Sequence, residues 1–164
     1  MSVSSITETG QYLTFKLEDE VFALDISKVR EVLDFTTVAK VPQTPDFMLG
    51  VTNLRGCVVP VVDMRLKLGM SRTEKTVNTC IIIVEVEIDG ETTILGALAD
   101  SVQEVMDQDP DQIEPPPRIG TGLNTKFIKG MGKRDNQFII ILDIDKVFSA
   151  DELDVAPDMT QEAV

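Results

Sequence analysis

Histidine and tryptophan are absent from this chain, tyrosine occurs once and cysteine twice. Without histidine there is no imidazole general acid or base, no Ser-His or Cys-His nucleophile, and no phospho-acceptor of the kind a histidine kinase needs. Cys57 and Cys80 fit no CxxC or zinc-ligand spacing, so no metal is expected and both are read as reduced, buried thiols. No GxxxxGK[ST] or GxGxxG loop is present to cradle phosphates, and no cofactor is expected. Long apolar runs are also missing. Nothing approaches the ~20 residues of a membrane span, and Met1–Gly10 has neither the basic start nor the apolar run of a signal peptide. Basic residues are scarce too, 15 against 28 acidic ones for a formal charge of −13. Such a surface repels phosphate backbones and anionic lipid. The expectation is therefore a cytoplasmic chain with protein partners, no nucleic acid and no direct membrane insertion.

What remains is a chain of 164 residues, 43% hydrophobic with only 5% aromatic. Its core must come from Val, Ile and Leu, a bias that favours strands. The chain is internally repeated. Val29-Arg30-Glu31-Val32-Leu33-Asp34 returns as Val102-Gln103-Glu104-Val105-Met106-Asp107, an offset of 102 − 29 = 73 that Pro42 and Pro115 also keep. Phe47, Gly50 and Asp63 return as Phe127, Gly130 and Asp143, now 80 apart. The difference of seven falls in the Pro/Gly-rich stretch Pro115–Gly122, where a repeated unit tolerates an insertion.

Each copy reads as short strands. Leu13, Phe15 and Leu17 alternate with polar residues, Glu18-Asp19 turns, and Phe22, Leu24 and Ile26 resume. In the second copy Ile81–Ile88 leads through Asp89-Gly90, a strong hairpin signal, into Thr92–Ala99. Later strands are expected at Gly56–Val62 and Gln137–Leu142, with Pro60 placing the first at an edge or a bulge. The fold class expected is all-β: two pseudo-symmetric five-stranded β-barrels with short helices at strand ends, in one domain over 11–150. The subdomains are expected near 11–69 and 79–148, joined by a linker at 70–78, with interleaving allowed and with 1–10 and 151–164 as flexible tails. Asp63 and Asp143 each precede a short amphipathic stretch, where an N-cap is the expected role and a catalytic carboxylate pair the alternative. Gly69 suits the stop of the first stretch.

Three segments carry candidate function. Val29-Arg30-Glu31-Val32 follows a strand, with Asp25 or Ser27 available to cap a turn, and is either a core-facing connector or a contact surface. In Gly50-Val51-Thr52-Asn53-Leu54-Arg55-Gly56 the glycines allow turn conformations and put Arg55 at a tip. The matching position of copy two is Asp135, so fold geometry alone does not call for arginine there. Arg55 and Glu31 are expected to form a charge-assisted, bidentate pair. The third segment is Ala99-Asp100-Ser101-Val102, the mate of the first. Paired units leave a cleft between them, suited to a helical partner.

Gly50–Gly56 followed by Val58-Val59-Pro60-Val61-Val62-Asp63, with Ala23–Ile26 and Val29–Val32, resembles the CheW-type chemotaxis coupling proteins from about Gln11 to Ala150. The resemblance implies SH3-like barrels, no catalysis, and an adaptor that joins a chemoreceptor's cytoplasmic hairpin tip to the regulatory domain of the chemotaxis histidine kinase at membrane receptor arrays. Self-association within arrays is a further expectation. Val29, Glu31, Val32, Gly50, Asn53, Arg55 and Val102 are the partner-binding positions it suggests. A carboxylate enzyme or small-ligand barrel would instead need a polar pocket with perturbed carboxylates. A nucleic-acid module would need a basic face with stacked aromatics, which the charge and the aromatic scarcity oppose.

Overall fold

A computed structural model describes residues 10–88, 90–114, 127–134 and 137–148. The expected tails, the Pro/Gly-rich loop and Asp135 lie outside the described residues, apart from Gly10. The fold is all-β with two sheets. In chain order the strands are β1 (Gly10–Leu17), β2 (Glu20–Asp25), β3 (Val29–Asp34), β4 (Met48–Leu54), β5 (Cys57–Asp63), β6 (Cys80–Ile88), β7 (Glu91–Ala99), β8 (Ser101–Gln108), β9 (Ile113–Glu114), β10 (Ile128–Arg134) and β11 (Gln137–Leu142). Single-turn helices α1 (Met64–Lys67) and α2 (Ile144–Val147) follow β5 and β11.

The hairpins form where alternation and turn residues place them. Leu17 pairs Glu20 around Glu18-Asp19, with Glu18 in the left-handed region (φ 58°). Ile88 pairs Glu91 around a two-residue loop in which Gly90 has φ 81°. The repeat is written into the registers. Met48 opposes Val62 while Ile128 opposes Leu142, each 80 residues on, and both hairpins are bulged just before Gly50 and Gly130.

The sheets do not divide the chain as the two copies do. One has the order β8-β1-β2-β11-β10-β9 and the other β3-β6-β7-β5-β4. Each sheet therefore takes strands from both 11–69 and 79–148. The leading hairpin of copy one (β1–β2) completes the sheet of the later strands of copy two, and β6–β7 does the same for copy one. The joints are parallel ladders, Phe22 to Ile140 and Val61 to Gly96.

Burial follows this exchange. Tyr12, Val21, Ala23, Met106, Ile113, Ile139 and Ile141 form a core inside the first sheet, and Val59, Val61, Ile81, Ile83 and Leu98 one inside the second. Each core includes or touches residues of the two terminal strands of its sheet's order (Met106 of β8 with Ile113 of β9, Leu33 of β3 with Leu49 of β4), so each sheet curls over its own core. A third and larger cluster joins the sheets, among them Leu13, Phe15 and Leu24 of one and Ile82, Val84 and Leu95 of the other. The Lys67 ammonium lies buried beside it, 5.1 Å from the Phe47 ring and 5.4 Å from the Phe127 ring, a cation–π arrangement spanning both copies.

Two local expectations change. Pro60 lies on a strand inside the sheet order, not at its edge. Its missing N–H is tolerated because the ladder from β5 to β7 begins one residue later, at Val61. Cys57 is an exposed free thiol and Cys80 a buried one. Cys57 opens β5 immediately after the turn, where the strand is not yet covered.

Candidate functional site

Asp25 accepts from the Ser27 N–H at 2.9 Å and caps the 3-10 turn Ile26–Lys28. That turn delivers the chain into β3, so Val29–Val32 is a strand rather than a turn. β3 is an outer strand of its sheet, paired to β6 with a bulge between Val29 and Glu31. The bulge sorts the side chains. Val29 opposes Val84 and Val32 opposes Ile82, both residues of the shared core, whereas Glu31 and Leu33 oppose Ile83 and Ile81 of the inner core. Val29 packs on the shared core and Val32 is 40% exposed.

β8 repeats the arrangement on the other sheet. Val102 opposes Phe15 and Val105 opposes Leu13, across a bulge at the equivalent place. Val102 packs on the shared core and Val105 is 48% exposed. Two outer strands therefore each carry one valine anchored on the shared cluster and one exposed valine three residues on. Val105 was missing from the sequence candidates, although the repeat of Val29–Val32 as Val102–Val105 carries the signal.

Arg55 and Gly56 form the two-residue loop between β4 and β5, with φ of 50° and 89°. Positive φ at both loop residues is the mark of the type I′ hairpin, which matches the twist of the strands. Asn53 Oδ1 accepts from the Gly56 N–H at 2.8 Å and closes the loop. The Arg55 side chain is 70% exposed, and its guanidinium makes a two-pronged contact to Glu31, Nη2 to Oε2 and Nη1 to Oε1. The bond to Glu31, with the charge behind it, raises the Arg55 pKa further above its usual value. Glu31 and Arg55 come from opposite ends of the sheet's strand order. Their contact closes the curl of that sheet and holds a cation at its tip.

Gly50 does something different. It is buried at φ 153°, and a Cβ there would lie 2.2 Å from the carbonyl oxygen of Ala39. Ala39 crosses at this point and exchanges two 2.8 Å backbone hydrogen bonds with Val51. Gly50 thus permits the crossing of the 35–47 segment over β4, and any partner would feel it only through that segment.

Asp63 and Asp143 serve as caps, as expected. Asp63 is 1% exposed, accepting from the Arg65 N–H at 3.1 Å and from both the N–H and hydroxyl of Thr73 at 3.0 and 2.7 Å. Asp143 accepts from the Lys146 N–H at 3.3 Å. The stop at Gly69 (φ 85°) also appears, with Met70 N–H returning to the Arg65 carbonyl at 2.7 Å. The linker is therefore fastened rather than loose.

A second polar cluster was not anticipated. Asp100 Oδ2 accepts from Arg65 Nε at 3.1 Å, from Arg65 Nη2 at 2.5 Å and from the Glu18 N–H at 2.6 Å. Burial lowers the Arg65 pKa, but the Asp100 bond and the charges of Asp100, Glu18 and Asp63 outweigh it, so the net shift is upward. This cluster ties α1 to the β1–β2 turn and the β7–β8 corner. Of the sequence candidates, Gly50, Asn53 and Arg55 lie on the β4–β5 hairpin, Glu31 reaches Arg55 from β3, which also carries Val29 and Val32, and Val102 stands on the other sheet.

Comparison with known proteins agrees with this geometry. The family model described as the CheW-like domain matches residues 11–152. The Chemotaxis protein CheW of Klebsiella aerogenes is 33% identical over 143 residues, covering 87% of this chain and 84% of that one. The protein of the same name from Rhizobium meliloti is 32% identical over 152 residues, 92% of this chain and 96% of that one. The crystal structure of the scaffolding protein TtCheW from Thermoanaerobacter tengcongensis superposes with a TM-score of 0.74 at 37% identity, covering 85% and 92% of the two chains. With a family model over most of its length, and with relatives matched nearly end to end, this chain belongs to the CheW-like domain family.

Proposed function

We propose that this chain is a non-catalytic scaffold of bacterial chemotaxis, coupling methyl-accepting chemoreceptors to the chemotaxis histidine kinase. It works in the cytoplasm and is recruited to receptor arrays at the membrane. The observation that carries the reading is the paired valine rim: Val29 and Val102 pack on one shared core, and each is followed three residues on by an exposed valine, Val32 and Val105. A helical hairpin tip is the partner such a rim suits, because an amphipathic helix buries an apolar stripe into an apolar seam. Arg55, held by Glu31, supplies a fixed cation for the charged flank of that contact. The names of the relatives support chemotaxis as the setting. Among the described residues no helix is long and apolar enough to cross a membrane.

Coupling of this kind breaks no bond. It requires contacts that differ between two states of the kinase, and reciprocity then makes the kinase state change receptor binding by the same factor. The test is a capture experiment with the full chain as bait against a purified receptor cytoplasmic fragment and the kinase regulatory domain. Capture of both is expected, with receptor capture reduced by Arg55→Ala and by Val32→Asp. If the wild type captures neither, the coupling function is wrong. If both variants capture the receptor as the wild type does, the valine rim is not its site.

A further inference from the structure

Arg65 and Asp145 occupy the same place in the two copies, 80 residues apart and two positions after the capping aspartates Asp63 and Asp143. One is a cation and the other an anion, yet both are tied in the same way. Asp145 Oδ2 accepts from Lys28 Nζ at 2.9 Å, and its Oδ1 accepts from the Glu87 N–H at 3.0 Å. Arg65 donates to Asp100 Oδ2 from Nε at 3.1 Å and from Nη2 at 2.5 Å, and the same oxygen accepts from the Glu18 N–H at 2.6 Å. In each cluster one carboxylate joins a cation to a backbone N–H of a leading hairpin, β6–β7 or β1–β2. Only the owner of the carboxylate changes, the helix in one and the corner in the other.

Each cluster crosses between the sheets. α1 trails the second sheet and is tied to the β1–β2 hairpin of the first, whereas α2 trails the first sheet and is tied to β6 of the second. The third party is the corner where the chain passes from sheet to sheet, and each corner leads straight into a valine strand. Lys28 immediately precedes Val29 at the head of β3, and Asp100 stands two residues before Val102 on β8. Beyond each corner a bulge interrupts the ladder, between Val29 and Glu31 on β3 and between Val102 and Val105 on β8. A bulge disrupts pairing locally and bends the strand, so the neighbouring strand alone does not fix where each pair of valines stands.

The clusters differ in their exposure to solvent. The side chains of Arg65 and Asp100 are 13% and 18% exposed, and Asp100 Oδ1 is buried. Arg65 is braced further by the Glu18 carboxylate at 3.7 Å and by the Arg72 carbonyl at 3.3 Å. The side chains of Lys28 and Asp145 are 31% and 33% exposed, so salt screens this pair more strongly. We infer that Lys28–Asp145 and Arg65–Asp100 are positioning pairs, each setting the stance of its own valine strand, and that only the first yields to salt. The use of those strands as a partner surface rests on the coupling function proposed above; the positioning does not.

The experiment measures amide residual dipolar couplings of the labelled full chain in a stretched neutral gel, which report orientation rather than nearby charge. Lys28→Gln and Asp145→Asn are each expected to shift the couplings of residues 29–32 away from the wild-type orientation and to leave those of 102–105 in place. Lys28→Arg should retain the wild-type couplings throughout. Arg65→Gln should do the reverse of Lys28→Gln, shifting 102–105 and sparing 29–32. In the wild type, 1 M NaCl, where the Debye length is about 3 Å, should reproduce the Lys28→Gln pattern. The inference is overturned by unchanged couplings over 29–32 in Lys28→Gln and Asp145→Asn, by equal shifts of both strands in any variant or in salt, or by Lys28→Arg behaving as Lys28→Gln does. Should Arg65→Gln fail to fold, the Lys28 and Asp145 variants and the salt series still decide. No partner is needed, so couplings that shift as expected while receptor capture stays at the wild-type level would count against the coupling function and not against the positioning.

Discussion

Arg55 combines two tendencies that oppose each other in stability. Its backbone sits at φ 50°, a conformation unfavourable for a residue with a Cβ, and its long side chain is held in one geometry by Glu31 while remaining 70% exposed. Asparagine or glycine would suit the turn better, so arginine here is best explained by what its guanidinium presents. Arg55→Gly is expected to leave the thermal midpoint unchanged or higher while weakening receptor capture. Arg55→Ala and Glu31→Ala are expected to be non-additive in partner binding, because either removes the same pair; additive losses in the double-mutant cycle would show that the two act separately. Gly50 is the opposite case. Gly50→Ala drives a methyl into the Ala39 carbonyl, and a loss of about 3 kcal/mol or more is expected in chemical denaturation. The Arg55–Glu31 pair was legible in the sequence because opposite charges sat in two segments of one recognisable motif. The reason for Gly50 was not, since the clash comes from a residue eleven positions earlier whose path no local pattern reveals.

Among the elements, the two single-turn helices resemble each other in sequence and differ in what their caps do. Asp63 satisfies α1 and also holds Thr73 of the linker from within the core, whereas Asp143 caps α2 alone among the described residues. Asp63→Ala should therefore cost about 2–3 kcal/mol, since it removes the cap and the acceptor of both the hydroxyl and the N–H of half-buried Thr73. Asp143→Ala should cost about 1 kcal/mol, the ordinary worth of a cap. Equal losses in urea titrations of the two variants would mean that the linker anchor contributes nothing. Strand alternation, the two-residue turns, both caps and the Gly69 stop could all be read from the sequence, because each depends on residues within a few positions. The tie from α1 to the β1–β2 turn and the β7–β8 corner through Arg65 and Asp100 could not, because it unites three distant segments.

At the scale of the molecule, the repeat was plain and its pairing was not. Identical signals in the two copies fix which residues face inward but leave open whose hairpin completes whose sheet, and only long-range geometry decides that. A cut in the linker near residue 75 should separate two fragments, neither of which holds all strands of either sheet. Each fragment alone is expected to give a poorly dispersed NMR spectrum, and mixing them should restore the native one. A well-dispersed, monomeric spectrum from either fragment alone would contradict the exchanged topology.

That topology has a further consequence. Cut at the linker, the chain is a pair of like partners, each lending the other its leading hairpin. Joining them end to end turns a meeting between two molecules into an event within one, at an effective concentration in the millimolar range for a short tether. The pair then cannot dissociate on dilution. It is also freed from true symmetry, so each half can carry what the other lacks: Arg55 at one hairpin tip, a longer proline-rich loop in the other copy. A symmetric dimer offers the same surface twice, whereas a fused one can offer two different surfaces from a single gene product, which is what a connector between unlike proteins requires.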